Sequence, residues 1–265
     1  LRWGAFRGGV GAPAPGGPPG PVESFNRMAA GLGEARGALV RSNEGLQVSN
    51  RRLDLERRLF STVLESVTTG VIAFDADDTL WHSENVYAAA QEDYRRLLAV
   101  YAEAERVDRV LHETEMRNLA TYGYGVNGFA LSMIEAALDL SQRGITGGEV
   151  QQVLDLAKRM LSTEVELLEG VSEVVAQLAE THPLMLITKG DLVHQEAKIE
   201  QSGLKPFFRS IEIVADKTSQ SYAALLERHH IEPARFLMIG NSLRSDVLPV
   251  LAIGGQAVYV PYAIT

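Results

Sequence analysis

The chain has 265 residues, 34 acidic against 25 basic side chains, a formal charge of −9 and no cysteine. Disulfides and thiolate metal sites are thereby excluded, and the acidic balance argues against a nucleic-acid partner. No apolar run approaches the about 20 residues that a membrane span requires. Residues 1–10 lack the apolar stretch of a signal peptide, so the composition fits a cytoplasmic protein whose first residue, Leu1, is not read as a natural start.

In chain order, residues 1–23 are rich in Gly, Pro and Ala. They cannot bury a core and are expected to form a disordered tail. The character changes over 24–68. Phe25, Leu32, Leu39, Leu46, Leu53 and Phe60 recur at seven-residue spacing. The companion positions Met28, Ala35, Ser42, Ser49, Glu56 and Val63 are apolar only toward the two ends. One strong and one weak seam predict a long helix. Its narrow stripe suits either a marginal parallel coiled coil, and hence a homodimer, or a helix that packs on its own domain.

Val71-Ile72-Ala73-Phe74 then runs straight into Asp75-Ala76-Asp77-Asp78-Thr79. A short, β-branched apolar run that stops at polar residues reads as a buried parallel strand. Its end would place Asp75 and Asp77 at the carboxyl edge of a sheet, where open α/β folds bind ligands. Two carboxylates so close are costly unless a cation or proton lies between them. The competing reading is a turn that happens to be acidic.

Residues 85–168 carry helical patterns at 86–107, 111–119, 127–139 and 146–161 and no clear strand. A helical insertion that covers the sheet's carboxyl edge as a cap is the economical reading. Beyond it, apolar runs at 184–187, 211–214, 236–239 and 257–260 alternate with amphipathic stretches at 170–180, 192–202 and 219–229. That order predicts a parallel sheet with right-handed crossovers. The expected fold is therefore α/β: a Rossmann-like parallel core from 69–84 and 169–265, an inserted α-helical cap at 85–168, and a long helix before both.

Three more of these runs end in polar groups. The second strand leads into Thr188-Lys189-Gly190-Asp191, the third into Ala215-Asp216-Lys217, and the fourth into Gly240-Asn241-Ser242-Leu243-Arg244-Ser245-Asp246. Each alone is weak evidence. An Asp-x-Asp, a Thr, a Lys and a Gly-Asn with a later Asp, in that order and each after a strand, are hard to obtain by accident.

With these motifs, residues 71–265 resemble the haloacid dehalogenase superfamily of hydrolases, in the branch with a helical cap after the first motif. The likeness extends through Tyr122-Gly123-Tyr124-Gly125-Val126-Asn127-Gly128, and it implies a chain that continues past Pro261-Tyr262. Residues 24–76 separately resemble the end of a HAMP domain and its signalling helix in nitrogen-regulation sensor kinases.

The superfamily resemblance implies a Mg²⁺-dependent phosphatase acting on a small phosphorylated substrate. Asp75 would be the nucleophile and Asp77 the general acid and base. Thr188, Lys189 and Gly190 would hold the phosphoryl oxygens, and Lys217 would offset the charge. Asp75, the carbonyl of Asp77, Asn241 and Asp246 would hold the metal. Asn241 stands where the family often has Asp, and Asp246 then becomes the main acidic partner, directly or through water. Asp78 is read as a turn residue and Thr79 as support for the loop. Asp77 favours phosphoryl chemistry, because displacing halide from carbon needs no acid at that position. Tyr122, Tyr124 and Asn127 either reach the phosphate site or pack in a tight helix–helix turn. Trp81, His82 and Glu84 are placed at the entrance. A phosphotransferase or mutase using the same nucleophile, and a non-catalytic signalling module, are the alternatives.

Overall fold

The computed structural model describes residues 70–262, all within one compact unit that spans 67–265. The expected tail, the heptad helix with its sensor-kinase-like stretch, and the dimer built on that helix lie outside the described residues.

Five strands form one parallel sheet in the order β3-β2-β1-β4-β5. They are β1 (Val71–Phe74), β2 (Leu184–Lys189), β3 (Phe208–Val214), β4 (Phe236–Gly240) and β5 (Gln256–Tyr259). The continuous apolar runs are what a sheet covered on both faces demands. Ile72, Ala73, Leu186, Phe236, Leu237 and Met238 have no exposed surface. The chain steps outward from β1 to β2 and β3, then returns to place β4 and β5 on the other side of β1. The β1–β4 pair is thus the topological switch point, and a crevice opens at its carboxyl end. Strand positions follow the expected runs, with β2 longer because Thr188 and Lys189 also pair and β3 longer because it starts at Phe208, opposite Leu184.

Between β1 and the rest of the core lie four helices: α1 (Glu84–Leu98), α2 (Ala104–Tyr122), α3 (Val126–Leu140) and α4 (Gly147–Leu161). They bury their own apolar cluster, which includes Tyr94, Leu98, Val107, Leu111, Met133, Ala137 and Val153. A different cluster, with Ala73, Met185, Tyr222, Phe236 and Met238, packs on the sheet. Thr146 and Glu149 start α4 with reciprocal bonds, a capping box. The Tyr94 hydroxyl donates to the Met133 carbonyl at 2.7 Å and ties α1 to α3.

One boundary differs from expectation. The pattern over 86–107 suggests a single helix, yet the chain turns at 99–103 and α2 runs on to Tyr122. No Gly or Pro marks that turn. The Leu98 carbonyl accepts from the amides of Tyr101 and Ala102, and the Tyr101 hydroxyl donates to Glu149. Apolar spacing continues through Val107 because both helices bury into one cluster.

The remaining helices flank the sheet: α5 (Val171–Ala179), α6 (Leu192–Gln201), α7 (Ser219–Arg228) and the short α8 (Leu248–Ala252). A π-helical turn at Leu243–Val247 leads into α8. Among the described residues no helix is long and apolar enough to cross a membrane.

Gly240 shows how tightly β4 is joined to this turn. A Cβ at that position would lie 2.4 Å from the Asp246 carboxyl group. Forcing in such a methyl typically costs about 1–3 kcal/mol. Gly240→Ala is expected to lower the urea unfolding free energy by that amount. Gly147→Ala, at a helix start with nothing within 4 Å, should leave it unchanged or slightly higher.

Candidate active site

The edge of β1 is built by backbone pairing that outlasts the strand. The Asp75 amide donates to the Ile239 carbonyl at 2.8 Å, which fixes Asp75 against β4. The chain then turns tightly, with the Leu80 amide donating to Ala76 and the Asp78 amide to Trp81. Asp78 adopts φ 58°, in the left-handed region that Asp and Asn tolerate better than most residues. Its Oδ1 accepts from the amides of Ser83 and Glu84 at 2.8 and 2.9 Å and so caps α1. Asp78 is a turn residue in this geometry. The Thr79 hydroxyl is buried without a hydrogen-bond partner.

Lys217, which follows β3, is buried beneath this edge. Its Nζ donates to Asp75 Oδ1 at 2.5 Å and to Asp246 Oδ1 at 2.7 Å. Asp246 has no exposed surface, and its Oδ2 accepts from the Ser242 amide at 2.9 Å. Both oxygens of Asp246 are therefore committed to protein donors.

One ammonium serves two carboxylates. Burial pushes the Asp75 carboxyl up to about 6; Lys217 pulls it down and the charge of Asp246 adds to the rise. Asp77 moves the other way. Burial opposes its charge, but the ammonium of Lys198 at 2.5 Å, Gln195 Nε2 at 3.0 Å and Trp81 Nε1 at 2.7 Å outweigh it and hold the carboxyl below its usual range. Two aspartates one residue apart are thus driven in opposite directions by the groups around them.

At the end of β2, Thr188 is buried and its Oγ1 accepts from Gln195 Nε2 at 2.7 Å. The Thr188 hydroxyl proton remains available to an anion. Lys189 Nζ donates to Ser245 Oγ at 3.1 Å and lies 3.8 Å above the Tyr124 ring centroid. Burial lowers its pKa. The turn at 123–128 docks on the start of α6, where Asp191 Oδ2 accepts from the Asn127 amide at 3.1 Å. Gly125, at φ 124°, permits the approach, since a Cβ would come within 2.4 Å of that oxygen.

These groups open into a cavity of about 370 Å³ between the sheet edge and the helical insertion. Asp75, Asp77, Thr188, Lys189, Gly190, Lys217 and Asn241 line it together, as the ordered motifs led one to expect, and Tyr124 and Glu84 reach it too. Other expected residues do not. Tyr122 ends α2 exposed, and Asn127 is exposed because α3 turns Val126, Phe129 and Ala130 inward. Asp246 is shut beneath Lys217, so direct contact between its carboxylate and a cavity ligand is not what the structure offers. Trp81 is 1% exposed and braces Asp77 rather than the entrance. His82 pairs with the Tyr262 hydroxyl at 2.7 Å. Lys198 and Gln195 are functional candidates that motif reading misses. They lie three residues apart on α6, and i,i+3 spacing was their only signal.

Among the described residues no three His, Cys, Asp or Glu side chains cluster to hold a metal ion. The cavity offers oxygens of another kind. Asp75 Oδ1 takes the Lys217 bond, while Asp75 Oδ2 has no hydrogen-bond donor among the described residues. The Asn241 amide lines the same cavity. An all-oxygen set with few charges fits a hydrated Mg²⁺ completed by substrate oxygens.

A family model described as haloacid dehalogenase-like hydrolase matches residues 69–254. No curated protein matches the chain. A haloacid dehalogenase-like family hydrolase from Xanthomonas campestris is 46% identical, with 74% of this chain and 83% of that chain covered and a TM-score of 0.71. The HAD-hydrolase YfnB from Bacillus subtilis, solved with bound magnesium, is 17% identical over 73% of this chain and 89% of its own, with a TM-score of 0.57. A 2-haloacid dehalogenase from Pseudomonas syringae pv. Tomato is 20% identical over 72% and 86%, with a TM-score of 0.51. The last two share the fold.

Two stability measurements test the charge arrangement. Lys217→Met leaves two buried carboxylates without their cation, and losing one partner of a buried pair costs about 3–5 kcal/mol. A drop of that size is expected in the unfolding free energy at pH 7.5. Asp75→Asn should do the opposite. The Asp75 carboxyl titrates higher in the folded chain, so the folded state binds more protons and its stability falls as pH rises from 3.8 to about 6. With EDTA present, the Asn variant should be more stable than the parent at pH 7.5, by about 2–3 kcal/mol. The gap should close toward pH 4.

Proposed function

The chain belongs to the haloacid dehalogenase-like hydrolases, and from that premise we propose that it hydrolyses small phosphate monoesters through a covalent intermediate on Asp75. The observation that carries this reading is Asp77, a carboxylate at the cavity wall held by Lys198, Gln195 and Trp81. Displacing halide from carbon requires no acid beside the nucleophile. Expelling an alkoxide from phosphorus does. The lysines at the sheet edge support the same choice, because Lys189, Lys198 and Lys217 all line the cavity and suit a dianion better than a single carboxylate.

In the first step an Asp75 carboxylate oxygen attacks phosphorus, and the bond from phosphorus to the ester oxygen breaks. The departing oxygen takes a proton from Asp77. Resting Asp77 is a carboxylate; phosphate charge arriving beside it favours its protonated form, so it takes up with the substrate the proton it delivers and recovers one from water in the second step. In the second step Asp77 removes a proton from water. The water oxygen attacks phosphorus, the Asp75–phosphorus bond breaks, and inorganic phosphate leaves.

Thr188, the Lys189 ammonium and the amides at the start of α6 hold the non-bridging oxygens. Lys217 limits the repulsion between nucleophile and phosphate. Asp75, the Asp77 carbonyl and Asn241 would hold Mg²⁺, which when bound supplies further neutralisation of phosphoryl charge. Asp246 anchors Lys217 and the turn after β4, or meets the metal through water. The helices of the insertion act as the cap that closes over the substrate.

With Mg²⁺, the protein is expected to release phosphate from para-nitrophenyl phosphate. Asp75→Asn should lower kcat/KM by at least about a thousandfold. Hydrolysis in ¹⁸O-water should place one label in the phosphate; transfer to an added alcohol would indicate a phosphotransferase. Halide release from 2-chloropropionate, or full phosphatase activity in Asp75→Asn, would overturn the proposal.

A further inference from the structure

The cavity is electrically two-sided. Its lysines come from the ends of β2 and β3 and from α6, while the walls contributed by α1 and α2 hold no Lys or Arg. They hold Glu84 and Glu115 instead, and neither carboxylate has a hydrogen-bond or ion-pair partner among the described residues. Burial raises the Glu115 carboxyl above its ordinary range; His112 opposes the rise and Glu84 adds to it.

The neutral side chains on this wall present oxygens as well. Both protons of Asn118 Nδ2 are spent, on Ser132 Oγ at 3.2 Å and Glu135 Oε2 at 2.8 Å. Gln91 Nε2 is turned to Asp108 at 3.0 Å. Both amides leave an acceptor oxygen, and Gln91 keeps one amide proton as well. At the sheet edge itself Gln195, 2% exposed, also leaves an acceptor, its Oε1 being buried without a donor among the described residues. A ligand that brings an anion to the lysines and donors, with positive charge, to the wall that carries Glu84 and Glu115 therefore fits this lining.

We infer that the substrates are phosphate monoesters of amino alcohols, whose ammonium is read by Glu115. The inference rests on the phosphatase reading and deepens it. Glu115 is the specificity-determining residue, and Glu84 at the mouth adds to the field that draws the cation in. A leaving group bearing a carboxylate or a second phosphate would face Glu115 and Glu84 and be rejected by like charge.

Three esters of nearly equal size test this with Mg²⁺-loaded enzyme: 2-aminoethyl phosphate, 2-hydroxyethyl phosphate and phosphoglycolate. The ammonium ester should exceed the hydroxyl ester in kcat/KM by about tenfold or more, the factor carried by ~1.4 kcal/mol of charge pairing, with the carboxylate ester last. Glu115→Gln should shrink the ammonium-to-hydroxyl ratio by about tenfold, and Glu115→Lys should move phosphoglycolate ahead of the ammonium ester. A parent ratio near one, or a ratio unchanged by Glu115→Gln, overturns the inference while leaving the phosphatase reading intact. If none of the three is hydrolysed although para-nitrophenyl phosphate is, the inference falls alone; if no phosphate ester is hydrolysed, the phosphatase reading falls. Titration calorimetry of the same esters into Mg²⁺-loaded Asp75→Asn then decides the inference: the same order of affinity supports it, and no order defeats it.

Discussion

A single ammonium, that of Lys217, sits under the sheet edge between Asp75 and Asp246. Removing three charges from water is costly, and mutual attraction repays that only when geometry and hydrogen bonds are good. Here the fold supplies both. Asp75 is pinned to β4 through its amide, Asp246 is closed off by the Ser242 amide, and Gly240 leaves the room that the Asp246 carboxyl occupies. The triad joins the ends of β1, β3 and β4, so the residues expected to do chemistry are set by the same contacts that close the core.

The triad also sorts the two aspartates. Asp75 shares its cation with Asp246 and is raised by burial, while Asp77 has the Lys198 ammonium, with Gln195 and Trp81 as further donors, and is lowered. A nucleophile and an acid–base group need different environments, and the sequence interval of two residues is enough to separate them because the chain turns sharply at Ala76. Along the cavity the charge is segregated as well, with lysines from the sheet edge and α6, and on the helical insertion acidic groups without a lysine or arginine partner among the described residues. That polarity is a stronger statement about the ligand than the cavity's size.

Much of the core was legible in advance. Short apolar runs such as 71–74 and 236–239 read as strands of a doubly covered sheet, with an acidic turn the competing reading at 71–79, and the polar residue after each run was expected at the carboxyl edge. The insertion was legible as helices, though its first turn at 99–103 was not, because side chains from other helices rather than Gly or Pro make it. In the site, Asp75, Asp77, Thr188, Lys189 and Lys217 converge as their order implied. Tyr122 and Asn127 do not, since one helical step decides which side of α2 or α3 meets the cavity. Lys198 and Gln195 escaped notice because neither belongs to a strand end, and Trp81, expected at the entrance, is buried against Asp77 instead.

The sequence by itself determined the kind of sheet, the edge at which chemistry is concentrated, and the family. Those follow from local pattern: apolar runs that must be buried, and polar groups forced to the ends of strands. Only the tertiary structure decided the partners of each charge. Lys217 belongs to Asp75 and Asp246, Lys198 to Asp77, and among the described residues no Lys or Arg to Glu115, because pairing depends on distances between residues far apart in the chain, which spacing along the chain does not encode.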